Sequence, residues 1–172
     1  MEIDLEMAIT AVCEKLNNHS VEYMIVGGTA VGFHGYNRGT VGVINEELKY
    51  DLDFWYKPTY QNLHKLMNSL EDMGLDTSRY KNTTDVKKCF LKIEHSYFKT
   101  DFLPTLRGIN SFFEANKRRV VKLIHQEKVP FIGLSDLITN KKASGREYDL
   151  EDIIELQKQN LKPKSNAKDK GL

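Results

Sequence analysis

Apolar positions near the start of the chain recur with a helical period. Leu5, Ala8, Ile9, Val12 and Leu16 share one stripe, while Glu6, Glu14 and Lys15 fall elsewhere around the barrel. The run Asn17-Asn18-His19 predicts the end of that helix. Tyr23-Met24-Ile25-Val26 is a short apolar block closed by Gly27-Gly28, the pattern of a buried strand entering a tight turn, and Thr29 to Phe33 opens a short helix. Residues 36–49 read as a polar connection before a second apolar block, Leu52-Asp53-Phe54-Trp55-Tyr56, which Pro58 ends. From Tyr60 to Met73, Leu63, Leu66, Met67 and Leu70 mark another amphipathic helix, with Gly74 as its C-terminal cap. Cys89–Ile93 and Tyr97–Leu103 predict a hairpin turning at Glu94-His95-Ser96, and Arg119–Ile124 with Val129–Ile132 predicts a second pair.

Two helices close the pattern. Ser135 is the expected cap of the first, which runs to about Ser144, and Gly145 interrupts. Leu150, Ile153 and Ile154 carry the period of the second. The expected order is α, β, α, β, α, β, β, β, β, α, α, a mixed sheet flanked by helices in the α/β or α+β class. Residues 1–161 read as one domain, and the lysine-bearing stretch KPKSNAKDKGL at 162–172 reads as a disordered tail.

Composition narrows the picture. The chain has 172 residues, enough for one domain with its own core. Lys plus Arg is 25 against 24 for Asp plus Glu, so no global field marks it as a nucleic-acid or membrane-surface binder. The start MEIDLEMAIT lacks the basic and apolar regions of a signal peptide, and no apolar run is long enough to span a membrane. Cys13 and Cys89 match no zinc or disulfide spacing. A cytoplasmic protein is the expectation.

The informative chemistry lies in Tyr50-Asp51-Leu52-Asp53-Phe54. Alternate side chains of a strand share a face, so Asp51 and Asp53 point one way and Leu52 and Phe54 the other, with the two aspartate Cα atoms about 6.6 Å apart. Paired carboxylates at the end of an apolar strand repel each other and are costly to desolvate unless a cation neutralises them. The bland alternative is a solvated edge strand. Asp101, opposite Phe98 and Phe102 in its own strand, would bring a third carboxylate to the same side if the two strands are neighbours. An all-oxygen set favours magnesium or manganese, and such a site suits in-line phosphoryl or nucleotidyl transfer. Gly27-Gly28 between strand and helix lets backbone N–H groups approach a phosphate, and Thr29 adds a hydroxyl, although many Gly-Gly pairs simply turn the chain. Neither the P-loop nor the G-x-G-x-x-G pattern is present.

Taken together, MIVGGTAVGFHGYNRGT, DLDFWYKPTYQNLHKLMNSLEDMG, KTDFLP and LSDLITNKKASGREYDLEDIIEL resemble the nucleotidyltransferase superfamily typified by DNA polymerase beta. The nearer likeness is to its minimal members and to type IV toxin (abortive infection) relatives. The resemblance implies a Gly-rich turn at Gly27 and Gly28 on the triphosphate, Asp51 and Asp53 as paired metal ligands, and Asp101 as the third carboxylate and base for the incoming hydroxyl. It also implies that Lys141, Arg146 and Asp149 match polar positions of the closing helices, the basic ones facing the nucleotide. Arg38, in the Arg38-Gly39-Thr40 segment, suits phosphate oxygens. The resulting expectation is magnesium- or manganese-dependent transfer of a nucleoside monophosphate from a nucleoside triphosphate to an acceptor hydroxyl. A small molecule, an RNA end and a protein side chain all remain open as acceptors.

Two departures stand out. Ten residues, Val41 to Tyr50, separate Arg38-Gly39-Thr40 from the acidic pair, and they read as a loop over the site or a substrate contact. The chain also barely exceeds the core fold, so acceptor choice would come from that loop, from a second copy in a homo-oligomer, or from a separate partner. The insertion keeps open a catalytically silent binding or regulatory module, such as one component of a toxin–antitoxin pair. A metal-stabilised structural domain is a further alternative. Elsewhere, His34 reads as a locally packed helix residue, Trp55 and Tyr56 as core or rim, and Lys117-Arg118-Arg119 as a solvated charge patch.

Overall fold

The computed structural model describes residues 4–36, 41–44 and 47–161. Arg38 and the 162–172 tail lie outside them. Helix α1, Leu5–Asn18, starts where the Asp4 carboxylate accepts the Met7 N–H at 2.8 Å, and it buries Ala8, Ile9, Val12, Cys13 and Leu16. Strand β1 (Tyr23–Ile25) leads into α2 (Gly27–Phe33). Strands β2 (Val41–Ile44) and β3 (Glu47–Tyr56) follow, then α3 (Tyr60–Glu71), capped by the Thr59 hydroxyl. Two short 3-10 turns, Ser78–Tyr80 and Val86–Lys88, lead to β4 (Leu91–Glu94) and β5 (Phe98–Leu103). The chain finishes with α4 (Phe112–Lys117), β6 (Val120–Ile124), β7 (Glu127–Phe131), α5 (Leu134–Ser144) and α6 (Glu147–Leu161).

Among the described residues the strands form one seven-stranded mixed sheet in the order β4-β5-β3-β1-β7-β6, with β2 paired to β3. Strands β3 and β5 are parallel, joined through α3; β1 runs antiparallel to β3 and parallel to β7. Helix α1 packs on α3 and β7, while α2 packs on β3 and α5, and α5 on α6. Alternation along β3 decides which face carries chemistry. Leu52, Phe54 and Tyr56 are wholly buried on one face, where Phe54 stacks on Phe102 at 5.0 Å between ring centres. Asp51, Asp53 and Trp55 occupy the other, and α4 covers only its far end, with Phe112 edge-on to Trp55 at 5.0 Å.

Three expectations change. The 41–50 insertion is no loop: β2 and the first half of β3 pair antiparallel, from Val41 opposite Tyr50 to Ile44 opposite Glu47. Helix α4 is additional, and its signal was present, since Ser111 accepts from the Glu114 N–H as in a capping box. Ser135 lies inside α5, whose cap is Gly133, because the chain leaves β7 directly into the helix; Gly145, left-handed at φ +65°, ends it as expected. Both cysteines are free and buried, and burial pushes the Cys13 thiol up to about 12. No helix among the described residues is long and apolar enough to cross a membrane.

Candidate active site

The β3–β5 register sets Asp53 directly opposite Asp101 and Asp51 opposite Lys99. Because β3 and β5 alternate in phase, all three carboxylates leave the same face of the sheet. One oxygen from each of Asp51, Asp53 and Asp101 lies within 4.8 Å of the others. The strand neighbour on which the sequence argument depended is therefore present.

The cluster is short of positive charge. Lys99 Nζ stands 2.9 Å from Asp51 Oδ2, and Lys92 Nζ only approaches Asp101 Oδ2, at 3.8 Å. Burial pushes the Asp53 carboxyl up to about 7, and the Asp51 and Asp101 charges push the same way, against the pull of Lys99 and Lys141. Burial also raises Asp101, opposed by Lys92 and assisted by Asp51. Asp51 Oδ1 is buried without a hydrogen-bond partner among the described residues. Three converging carboxylates, one with an orphaned oxygen and two held above their usual range, form a donor set that fits a hard divalent cation.

Gly27 is dictated by this cluster. It sits at φ +64°, and a Cβ built there would lie 2.0 Å from Asp53 Oδ2. Only a residue without a side chain lets the acid reach the start of α2. The Val26 N–H donates to the Asp53 carbonyl at 2.9 Å, locking turn to strand. The first bond within α2 is Ala30 N–H to Val26 carbonyl at 3.3 Å, so the N–H groups of Gly27, Gly28 and Thr29 precede the helical ladder. The Thr29 side chain, by contrast, is buried, and its hydroxyl turns inward to the Asp51 carbonyl at 3.4 Å. It ties α2 to β3.

Lys141 and Arg146 part company. Lys141 is buried between α5 and α6, its Nζ 2.8 Å from Asp149 Oδ1 and 2.9 Å from Asp152 Oδ2. Arg146 grips the same Asp149 from outside, through Nε to Oδ2 at 2.7 Å and Nη2 to Oδ1 at 3.3 Å, and its guanidinium lies over the Tyr148 ring. Burial alone would raise Asp149, but the bonds from Arg146 and Lys141 hold its carboxyl below the ordinary range. Sequence reasoning included Asp149 and missed Asp152, which the i, i+3 spacing on α6 turns toward the same lysine.

A cleft of about 480 Å³ opens over the acids, lined by Gly27, Asp53, Asp101 and Arg146 together with Thr105 and Arg107. The last two were not singled out from sequence, because an arginine in an irregular segment carries no periodic signal. Lys99 was legible in principle, two residues before Asp101 on the same strand face. Other predicted neighbours are structural. His34 Nε2 lies 2.8 Å from the Ile132 carbonyl, Trp55 Nε1 donates to the Pro104 carbonyl at 3.3 Å, and Arg118 is held bidentately by Asp136 at 2.9 Å for each bond.

No protein-family model and no curated protein matches the chain. Solved structures do. The chain is similar to the lincosamide antibiotic adenylyltransferase LnuA in its lincomycin-bound form, with 15% identity, 91% of this chain and 97% of that one covered, and a TM-score of 0.56. It is similar to an antigenic nucleotidyltransferase-like protein from Paracoccidioides brasiliensis, at 15% identity, 88% and 74% coverage and a TM-score of 0.52. A putative nucleotidyltransferase from Thermotoga maritima aligns at 14% identity over 88% of this chain and 89% of that one, with a TM-score of 0.53. The mixed sheet and its flanking helices, as the sequence resemblance implied, have the nucleotidyltransferase fold.

Proposed function

We propose that the protein is an enzyme that transfers a nucleoside monophosphate from a nucleoside triphosphate to an acceptor hydroxyl with magnesium or manganese bound. The observation that carries this reading is the convergence of Asp51, Asp53 and Asp101 beside the Gly27 turn, in the nucleotidyltransferase fold. In the reaction the acceptor oxygen forms a bond to the α-phosphorus, the bond from that phosphorus to the bridging oxygen breaks, and pyrophosphate leaves.

Asp51, Asp53 and Asp101 would hold the cations. When bound, these supply charge neutralisation on the phosphates and activation of the attacking hydroxyl. Asp101 would also be the base that accepts the hydroxyl proton, the role the resemblance implies. The side-chain-free surface of Gly27 and Gly28, with the N–H groups opening α2, would receive phosphate oxygens. Thr29 contributes by its backbone N–H and by fixing the turn. Arg146 faces the nucleotide while Asp149 holds it, and Lys141 acts from beneath by locking Asp149 rather than by touching substrate. Arg38, outside the described residues, keeps the phosphate role that its guanidinium chemistry suggests.

An antibiotic-sized small molecule is the first acceptor class to examine, since LnuA, similar over nearly its whole length, is a lincosamide adenylyltransferase with lincomycin bound. The test incubates the protein with each of the four labelled nucleoside triphosphates, magnesium, and separate panels of small hydroxylated antibiotics, RNA and proteins. Labelled acceptor together with released pyrophosphate is the expected result. Absence of triphosphate binding by calorimetry, with magnesium present, would overturn the reading in favour of a silent module.

A further inference from the structure

Arg107 lines the cleft beside Asp53, Asp101 and Arg146, in the segment that follows β5. The other cations around the acids are already engaged. Lys99 is committed to Asp51, Lys92 approaches Asp101, Lys141 serves Asp149 and Asp152, and Arg146 spends its fork on Asp149. The Arg107 guanidinium has no hydrogen bond or ion pair among the described residues, so its five N–H donors are unspent. Its backbone, by contrast, is fixed. The buried Asn140 side chain donates from Nδ2 to the Arg107 carbonyl at 3.0 Å. Next to it, Gly108 at φ +77° packs so closely on α5 that a Cβ there would lie 2.7 Å from Ala143 Cβ and 3.1 Å from the Thr139 carbonyl oxygen. A fixed backbone at the wall of the cleft, carrying an exposed guanidinium with no partner among the described residues, is arranged for an anion supplied from outside.

We propose that Arg107 is a substrate-binding residue that grips the phosphates of the nucleoside triphosphate, with Asn140 and Gly108 positioning it. This inference rests on the reading of the cleft as a nucleotidyl-transfer site. The three acids would hold the cations that neutralise the reacting end of the triphosphate, and its remaining oxygens would still need donors. A planar guanidinium meets two of them at once, which an ammonium cannot do. The free arginine, rather than the engaged Arg146, supplies that grip.

Calorimetry distinguishes the possibilities. Wild type, Arg107→Ala and Arg107→Lys are each titrated, with magnesium present, against non-hydrolysable analogues of the four nucleoside triphosphates and against inorganic tripolyphosphate. Loss of a bidentate charge-assisted contact should weaken binding of both probe classes by about 10- to 100-fold in Arg107→Ala, with Arg107→Lys falling between. Circular dichroism melts check that the variants stay folded, as an exposed side chain without internal partners predicts. Affinity of Arg107→Ala within about twofold of wild type for both probes would overturn the proposal. Weakening confined to the nucleotide analogues would overturn it too, by placing Arg107 on the nucleoside instead of the phosphates. A wild type that binds neither probe would defeat the transfer reading itself, and this inference with it.

Discussion

Two clusters of charge lie close together in this fold and have been built on opposite principles. Between α5 and α6, Lys141 and Arg146 answer Asp149 and Asp152, and both carboxylates are wholly out of solvent. On the sheet face, Asp51, Asp53 and Asp101 converge with Lys99 engaged at one of them and Lys92 merely near another. The first cluster is balanced by its own side chains, which is what makes burial of ions tolerable. The second has three acids to two lysines, and its Asp53 and Asp101 carboxyls stand above their usual range, raised chiefly by burial and further by their acidic neighbours. On the proposed reading, the contrast separates a structural ion cluster from a cation-binding one. Counting acids alone would not distinguish them; counting the cations each already owns does.

Substitutions should respond accordingly. The largest effect is expected at Asp53→Asn, which removes one of the three proposed cation ligands. Transfer activity should fall by several kcal/mol of transition-state stabilisation, at least about 1,000-fold, in a radiolabel assay, while the metal-free protein keeps or gains thermal stability. Lys141→Met is the mirror image. It removes the buried ammonium that bridges Asp149 and Asp152 and should cost about 3–5 kcal/mol in a denaturant melt, with any activity loss following the unfolding. A neutral effect at Lys141 would erase the distinction between the clusters.

Next in size is Gly27→Ala. The new methyl group would meet the Asp53 carboxylate at a position whose φ is already left-handed. A destabilisation of about 1–3 kcal/mol is expected from backbone strain, and activity should fall further because the acid is displaced. Chemical denaturation and turnover measured on the same variant separate the two effects.

The pH dependence is smaller but has a definite sign. A carboxyl raised to about 7 in the folded protein binds its proton more tightly than in the unfolded chain. Its contribution to stability is therefore fully present below the unfolded value and lost as pH rises through about 7. In metal-free protein the melting temperature should fall across that window, and Asp53→Asn should flatten the fall. Divalent cation must displace the same proton, so its affinity should rise through the same window. A wild-type melt that parallels the Asp53→Asn melt from pH 5 to 8 would remove the electrostatic deficit from the account.

Much of this site could be read from sequence because it is built on strands. Period-two alternation put Leu52 and Phe54 on one face and Asp51 and Asp53 on the other, and the same logic placed Asp101 opposite Phe102. Their meeting depended on β3 and β5 being neighbours, a tertiary fact that the pattern could only propose. What escaped has physical reasons. The strand at Val41–Ile44 is four residues long, with Gly42 inside it, too short a run for alternation to show in the sequence. Lys141 reads as facing the nucleotide because the resemblance aligns it with the basic positions of the closing helices; it is buried instead, paired with Asp149 and with Asp152 one turn beyond. Arg107 gains its place from Asn140 and from the packing of its neighbour Gly108 on Thr139 and Ala143, contacts with a distant helix that no local pattern announces.

The central claim is that the sheet-face acids lack a cation that the protein does not supply. Manganese titration by calorimetry at pH 8, in wild type and in Asp53→Asn, tests it most directly. The account predicts saturable manganese binding by wild type and its loss in the variant. Manganese that fails to bind wild type, or that binds Asp53→Asn with unchanged affinity, would contradict it.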